Sequence, residues 1–219
     1  MTLAIFDLDN TLIAGDSDHL WGEFLVARGI VDAGGFKAAN DAFYQDYLDG
    51  RLDIVAYQEF VLGVLKGRPL EELYAWRECY LEEVIRPLWL PRAEQLVEDH
   101  RAQGHKLMII TATNDFITTP IAARLGIDTL LATVAERDAN GYTGHISGIP
   151  CYREGKVARL DAWLGEHHET LAGSYFYSDS HNDLPLLEKV DHPVVVDADD
   201  KLQRTARRRG WPAMSLRAP

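Results

Sequence analysis

Short apolar runs, each closed by an acidic or hydroxyl residue, recur along this chain with helical stretches between them. LAIFDL at 3–8, HKLMIIT at 105–111, SYFYSD at 174–179 and HPVVVD at 192–197 are the clearest. They are strand-length and almost uniformly apolar, which is what strands buried on both faces require. Helical periodicity fills the intervals at 92–103, 116–125, 155–168 and 183–190, with Gly104 and Gly126 placed as C-caps. TLLATVAER, the Asn140-Gly141 pair and YTGHISG read as a hairpin. Strands alternating with helices predict an α/β fold with a doubly wound, Rossmann-like parallel-sheet core.

One stretch breaks the alternation. Residues 14–87 give helical patterns at 18–28, 36–49, 53–65 and 70–84, punctuated by Gly-Gly at 34–35, DGR at 49–51 and KGRP at 66–69. No strand pattern falls there. The expected organisation is a core from 1–13 and 88–219, with a helical cap subdomain inserted at 14–87. The 219-residue length suits one domain of ~150 residues plus an insertion. Tyr44, Tyr47, Tyr57, Phe60 and Tyr74 are expected in the core of that subdomain.

Charge removes several functional classes. With 34 acidic against 22 basic residues the net charge is −12, which argues against nucleic acid as a partner. Two cysteines give neither a disulfide framework nor a zinc site. No apolar run reaches the ~18 residues that span a bilayer, and no basic leader precedes the first strand, so no membrane partner and a cytoplasmic location are expected. Residues 14–87 hold 14 acidic and 7 basic residues, whereas 200–219 holds six basic and one acidic. The basic tail reads as a solvated helix face.

Ligands of an open parallel sheet bind beyond the carboxyl ends of its strands. Asp7, Asp9 and Thr11 follow the first strand, Thr111, Thr113 and Asn114 the second. Asp179, His181, Asn182 and Asp183 follow SYFYSD, and Lys156 opens a helix. Converging carboxylates repel unless a cation neutralises them. A hard divalent ion with oxygen ligands, Mg²⁺ when phosphate is present, meets that need. A carboxylate can also attack phosphorus, and a second can move protons.

Four motifs then carry a resemblance. Asp7-Leu8-Asp9-Asn10-Thr11, Thr111 at the end of IIT, Lys156, and Asp179 with Asp183 in SDSHND occur in the order of the haloacid-dehalogenase-like phosphohydrolases. The helical insertion resembles the cap of the phosphoserine-phosphatase-like branch. The resemblance implies an Mg²⁺-dependent phosphomonoesterase working through an aspartyl-phosphate. Asp7 would be the nucleophile and Asp9 the general acid and base. Asp7, the Asp9 carbonyl, Asp179 and Asp183 would serve the metal. Thr111, Lys156 and Asn182 would hold the phosphoryl group.

Substrate choice is where the sequence departs from phosphoserine phosphatases. Their cap arginine, which grips a substrate carboxylate, aligns here with Glu59, and their glutamate nine residues after the nucleophile aligns with Asp16, near Asp18. Asp16, Asp18 and Glu59 together suit a cationic substrate without a carboxylate. The sequence is similar to the family's histidinol-phosphatase group, which implies histidinol phosphate as the substrate. A phosphoserine phosphatase, a related phosphotransferase and an inactive binding module are the alternatives. A small phosphomonoester is the one expected partner, and the chain is expected to be a monomer or homodimer.

Overall fold

The computed structural model describes residues 1–217. The strands are β1 (Leu3–Phe6), β2 (Lys106–Asn114), β3 (Thr129–Asp138), β4 (Gly141–Ser147), β5 (Tyr175–Ser178), β6 (His192–Val196) and β7 (Ala213–Met214). They form one sheet in the order β4-β3-β2-β1-β5-β6-β7. All neighbours are parallel except the β3–β4 hairpin. β1 is central, so the residue after it lies between the ends of β2 and β5.

Side chains alternate strictly across this sheet. Ala4, Phe6, Ile109, Tyr177, Val194 and Val196 face one core. Leu3, Ile5, Met108, Ile110, Phe176 and Val195 face the other. This is the two-residue period of a strand buried on both faces. The second core is closed by α7 (Glu154–His167), α8 (Leu184–Leu187) and α9 (Asp200–Arg209), through Leu160, Trp163, Leu186, Leu187, Leu202 and Ala206. The first is closed by α5 (Pro91–Ala102) and α6 (Asp115–Arg124), through Ala93, Val97, Phe116, Ile117 and Ile121.

Between β1 and α5 the chain forms α1 (Ser17–Ala27), α2 (Gly35–Asp49), α3 (Ile54–Leu62) and α4 (Leu70–Tyr80), with a π turn and two 3-10 turns and no strand of the sheet. A single bridge between Ile13 and Trp89 closes the two ends of this block. The block has no core to itself. Trp21, Leu25, Val61, Leu62, Leu73 and Tyr80 belong to the same apolar cluster as Phe6 and Ile109. Trp21 is fully buried and meets the rings of Tyr80 and Phe116 edge-on at 5.1 and 5.8 Å. Trp21→Ala would cost about 3–5 kcal/mol by the usual scale for buried aromatics.

Three features depart from the sequence expectations. β2 runs on to Asn114, past the expected end at Thr111, because a register shift against β3 between Ile110 and Asn114 keeps the strand paired. The basic tail is a helix only to Arg209. Gly210 then caps it in a left-handed conformation, and Ala213–Met214 adds a short edge strand to β6. The helix expected at 183–190 is one short helix after a 3-10 turn. Among the described residues no helix is long and apolar enough to cross a membrane.

Candidate active site

The loop after β1 is folded tightly onto itself. Thr11, Leu12 and Ile13 all donate backbone N–H groups to Leu8 O, and Asn10 turns the chain at φ 56°. Asparagine tolerates that left-handed conformation better than most residues. The loop leaves Asp7 and Asp9 at the sheet edge and delivers Asp16 as the N-cap of α1, where it accepts from Asp18 N and His19 N.

Asp7 is buried and tied to two neighbours. Its N–H donates to Tyr177 O at 2.9 Å, and its Oδ1 accepts from Lys156 Nζ at 2.9 Å. The same ammonium donates to Asp183 at 2.8 Å, and Asp183 also accepts from Ser178 Oγ at 2.8 Å. Lys156 reaches this point because α7 starts very close to the preceding loop. A Cβ on Gly155 would lie 2.1 Å from Pro150 O, so only glycine fits. Asp9 is held separately, by Ser17 N at 2.6 Å, Thr113 Oγ1 at 2.7 Å and Thr111 Oγ1 at 3.4 Å. Asp179 accepts from Thr11 Oγ1 at 3.3 Å.

These carboxylates crowd a site of low polarity. Burial pushes Asp7 up to about 7, with Lys156 opposing and Asp183 adding to the rise. Burial and the Asp16 charge push Asp9 up to about 6, against the hydrogen bonds from Ser17 and Thr113. Burial, then Asp7 and Asp183, drive Asp179 well above the carboxylate range. Burial works against the Lys156 charge, yet Asp183 and Asp7 raise its pKa above the ordinary lysine value. One ammonium cannot balance four acids. Asp7, Asp179 and Asp183 offer only oxygen donors, the chemistry that a hard divalent cation takes. The oxygen-donor chemistry of these residues fits Mg²⁺.

A narrow cleft opens over this edge. Asp7, Asp9, Thr111, Lys156, Asn182 and Asp183 line its sheet side, and Asp16, Asp18, Tyr44, Tyr47, Tyr57 and Gln58 line its helical side. Asp18 is buried, and its partners are uncharged amides. Gln58 Nε2 donates to it at 2.6 Å and Asn114 Nδ2 at 3.3 Å. Burial and the Asp16 charge drive Asp18 well above its usual range, and burial raises Asp16 as well. Lys156 is the one cationic side chain among the lining residues.

The structure therefore brings together Asp7, Asp9, Asp16, Asp18, Thr111, Lys156, Asn182 and Asp183, with Asp179 at their edge. It does not bring Glu59 to them. Glu59 is half-exposed, and its carboxylate lies 2.8 Å from His145 Nδ1 on β4. The inward positions of α3 are Tyr57, Gln58, Val61 and Leu62. One residue along a helix turns a side chain by about 100°, so Gln58 takes the place expected of Glu59. Tyr57 lies in the apolar core as expected, with Tyr47, Phe60 and Tyr74 packed against it, but Tyr44, Tyr47 and Tyr57 also line the cleft; Phe60 packs against Phe36 and Phe43, and Tyr74 against Phe116. Thr113 and Asn114 are placed by the sequence beyond a strand end, without a role; Ser178 and Gln58 carry no such signal.

Comparison with known proteins agrees with this geometry. The sequence profile of haloacid dehalogenase-like hydrolases matches residues 4–188. A Neisseria meningitidis serogroup C protein named histidinol-phosphatase is 44% identical over 219 residues, covering 98% of this chain and 99% of that one. Phosphoserine phosphatase SerB1 of Mycobacterium tuberculosis is 32% identical over 98% of this chain and 70% of its own length. A solved Bordetella pertussis Tohama I protein of unknown function superposes with a TM-score of 0.92 at 41% identity, covering 99% of this chain and all of that one. A substrate-bound phosphoserine phosphatase shares the fold, with a TM-score of 0.71 at 17% identity over 97% of this chain and 92% of its own. By sequence and fold together, the chain belongs to the haloacid dehalogenase-like hydrolase family, in its phosphoserine-phosphatase-like branch, as a phosphoric monoester hydrolase.

Proposed function

We propose that this protein hydrolyses a small phosphomonoester that carries positive charge and no carboxylate, with histidinol phosphate as the best-fitting substrate. The observation that carries this reading is the charge of the cleft. Asp16 and Asp18 face it from the helical side, and its one lining cation, Lys156, is already engaged by Asp7 and Asp183. A substrate carboxylate would meet acids and no free cation. An ammonium or imidazolium would meet two carboxylates and the aromatic rings of Tyr44, Tyr47 and Tyr57. The Neisseria relative's name supports the same choice.

The residues then take these roles. An oxygen of Asp7 attacks phosphorus in line as the bond to the ester oxygen breaks, giving an aspartyl-phosphate. Asp9, oriented by Ser17 N and Thr113 Oγ1, gives its proton to the leaving alkoxide. It then takes a proton from water, which attacks the aspartyl-phosphate, releases inorganic phosphate and restores Asp7. Thr111, Lys156 and Asn182 hold the phosphoryl oxygens. Asp7, the Asp9 carbonyl, Asp179 and Asp183 would hold Mg²⁺, which when bound neutralises charge on the transferring group. Residues 14–87 act as a cap over the core formed by 1–13 and 88–219, and exclude water from the first half-reaction.

The test is a set of steady-state assays with Mg²⁺ on histidinol phosphate, phosphoserine and an uncharged alkyl phosphate. The expected kcat/KM for histidinol phosphate exceeds that for phosphoserine by about 100-fold or more, the scale of an ion pair replaced by repulsion. Equal or better turnover of phosphoserine overturns the substrate reading.

A further inference from the structure

The C-terminus of α2 is gripped by the rest of the protein in a way that neither the chemistry nor the apolar core requires. The last carbonyls of a helix have no partner within it and carry its negative dipole end. Here the carbonyls of Tyr47, Leu48, Asp49 and Gly50 all accept from side chains outside the helical block. Asn182 Nδ2 donates to Tyr47 O at 3.1 Å. Lys201 Nζ, at the start of α9, donates to Leu48 O at 3.3 Å and Asp49 O at 3.1 Å. Arg153 Nη1 donates to Gly50 O at 3.1 Å. Two of these three donors are cations, the sign that a helix C-terminus attracts.

The surroundings are built to the same contact. Gly50 is left-handed at φ 75°, and a Cβ there would lie 2.8 Å from His181 Nε2, so no other residue fits without displacing that ring. His181 is fixed by Asp199 Oδ2, at 2.7 Å from its N–H and 2.9 Å from its Nδ1. Arg153 holds a left-handed backbone, φ 50° with ψ −119°, although it is not glycine. Strain of this kind persists where neighbouring structure imposes it and is concentrated at functional positions. The grip also reaches the cleft. Asn182 is clamped between Tyr47 O and Tyr152 Oη, the latter at 3.1 Å, and Tyr47 and Tyr152 both line the cavity.

We propose that Lys201 and Arg153 are positioning residues that form a polar latch on the C-terminus of α2, and that this latch holds the cap closed over bound phosphomonoester. It rests on the reading of residues 14–87 as a moving cap. Unlike the apolar cluster beneath α1, α3 and α4, the latch consists of hydrogen bonds to carbonyls that are exposed at Lys201 and part-buried at Arg153, where water can replace them. It can therefore break and reform without a large change in stability. When it is broken the substrate-competent state is less populated, and apparent affinity falls in proportion. The latch also gives part of the basic tail a role, since Lys201 is its first basic residue.

The test uses the full chain with Mg²⁺ and p-nitrophenyl phosphate, and compares Lys201→Met, Arg153→Met, the double variant and Lys201→Arg. Each single Met variant is expected to raise KM roughly 3-fold, and the pair about 10-fold, with kcat within 2-fold. Lys201→Arg should restore KM, and thermal midpoints should hardly move. Amide exchange at residues 47–51 should accelerate by a similar factor in the double variant. Wild-type KM and wild-type exchange in the double variant would overturn the latch, as would a rise in KM that Lys201→Arg fails to reverse. Exchange of the wild type with and without orthovanadate separates the two readings. If orthovanadate slows exchange across α2 and α3 equally in the wild type and the double variant, the latch fails and the cap stands. If it slows neither, the moving cap itself fails, and the latch with it.

Discussion

The two walls of the cleft carry similar charge and solve it differently. On the sheet wall, Asp7 and Asp183 share the Lys156 ammonium, and Asp9 is pinned by a backbone N–H and two hydroxyls. On the helical wall, Asp18 has only the amides of Gln58 and Asn114, and Asp16 has two backbone N–H groups of its own helix. Neither set of neutral donors removes a charge. The sheet wall is therefore assembled for chemistry before any substrate arrives. The helical wall has no cation beside its acids, so burial favours their protonated forms, and an arriving cation would shift them towards the charged ones. On the proposed reading, rigid strand ends fix the reacting groups and the helical block carries the choice of substrate.

Five experiments put this contrast under strain. The largest effect is expected from Asp7→Asn, which removes the proposed nucleophile. Its kcat should fall by about 10³-fold or more on every phosphomonoester, with an unchanged circular dichroism spectrum. Loss confined to one substrate would place Asp7 outside the chemistry. Asp9→Asn should follow, with a fall of about 10²–10⁴-fold in kcat, the range of general acid–base catalysis. Near-wild-type rates would end its assignment.

Asp18→Asn tests the other wall. We expect kcat/KM for histidinol phosphate to fall about 30-fold, and that for p-nitrophenyl phosphate to stay within about 3-fold. Equal losses on both substrates would mean that the two walls act as one. The same variant has a stability signature. The Asp18 pKa is raised by burial, so the unfolded chain releases that proton at lower pH than the fold does. The wild type then loses stability, relative to the variant, as pH rises above the ordinary carboxylate range near 4. The difference in melting temperature, Asn variant minus wild type, should be more positive at pH 8 than at pH 4.5. A difference independent of pH would mean that the fold does not raise the Asp18 pKa and that Asp18 is ionised in the fold as in the unfolded chain.

Removal of the metal should separate the walls again. EDTA is expected to abolish turnover and lower the melting temperature by a few degrees, and Mg²⁺ to restore both. In Asp179→Asn the thermal response to Mg²⁺ should be lost, whereas in Asp18→Asn it should persist. The smallest effect is expected from Glu59→Gln, within about 2-fold on all substrates, because an exposed ion pair contributes little. A large change in specificity there would return Glu59 to the cleft.

Much of this was legible in the chain. The apolar runs around Ile5, Ile109, Phe176 and Val195 place strands, because a strand buried on both faces leaves little room for polar residues. The acids that end those runs place one edge of the sheet. What escaped reading depends on single-residue geometry. Gln58 and Glu59 are neighbours on one helix, and only the packing of α3 against β4 decides which faces the cleft. β7 was unreadable because two exposed residues have no periodicity, and they become a strand only where β6 offers them an edge. Lys201 reads as part of a solvated helix face, and nothing local says that a helix C-terminus 152 residues away will present its carbonyls to it, or one 103 residues away to Arg153.

The sequence by itself determined the α/β alternation and the order and chemistry of the strand-end residues, because burial on two faces and metal or phosphate chemistry each demand particular residue types at particular spacings. Only the tertiary structure decided which carboxylates share Lys156, which residue of α3 meets the cleft, and what holds the end of α2. Those are long-range contacts between side chains, set by how elements pack across the fold and not by any pattern along the chain.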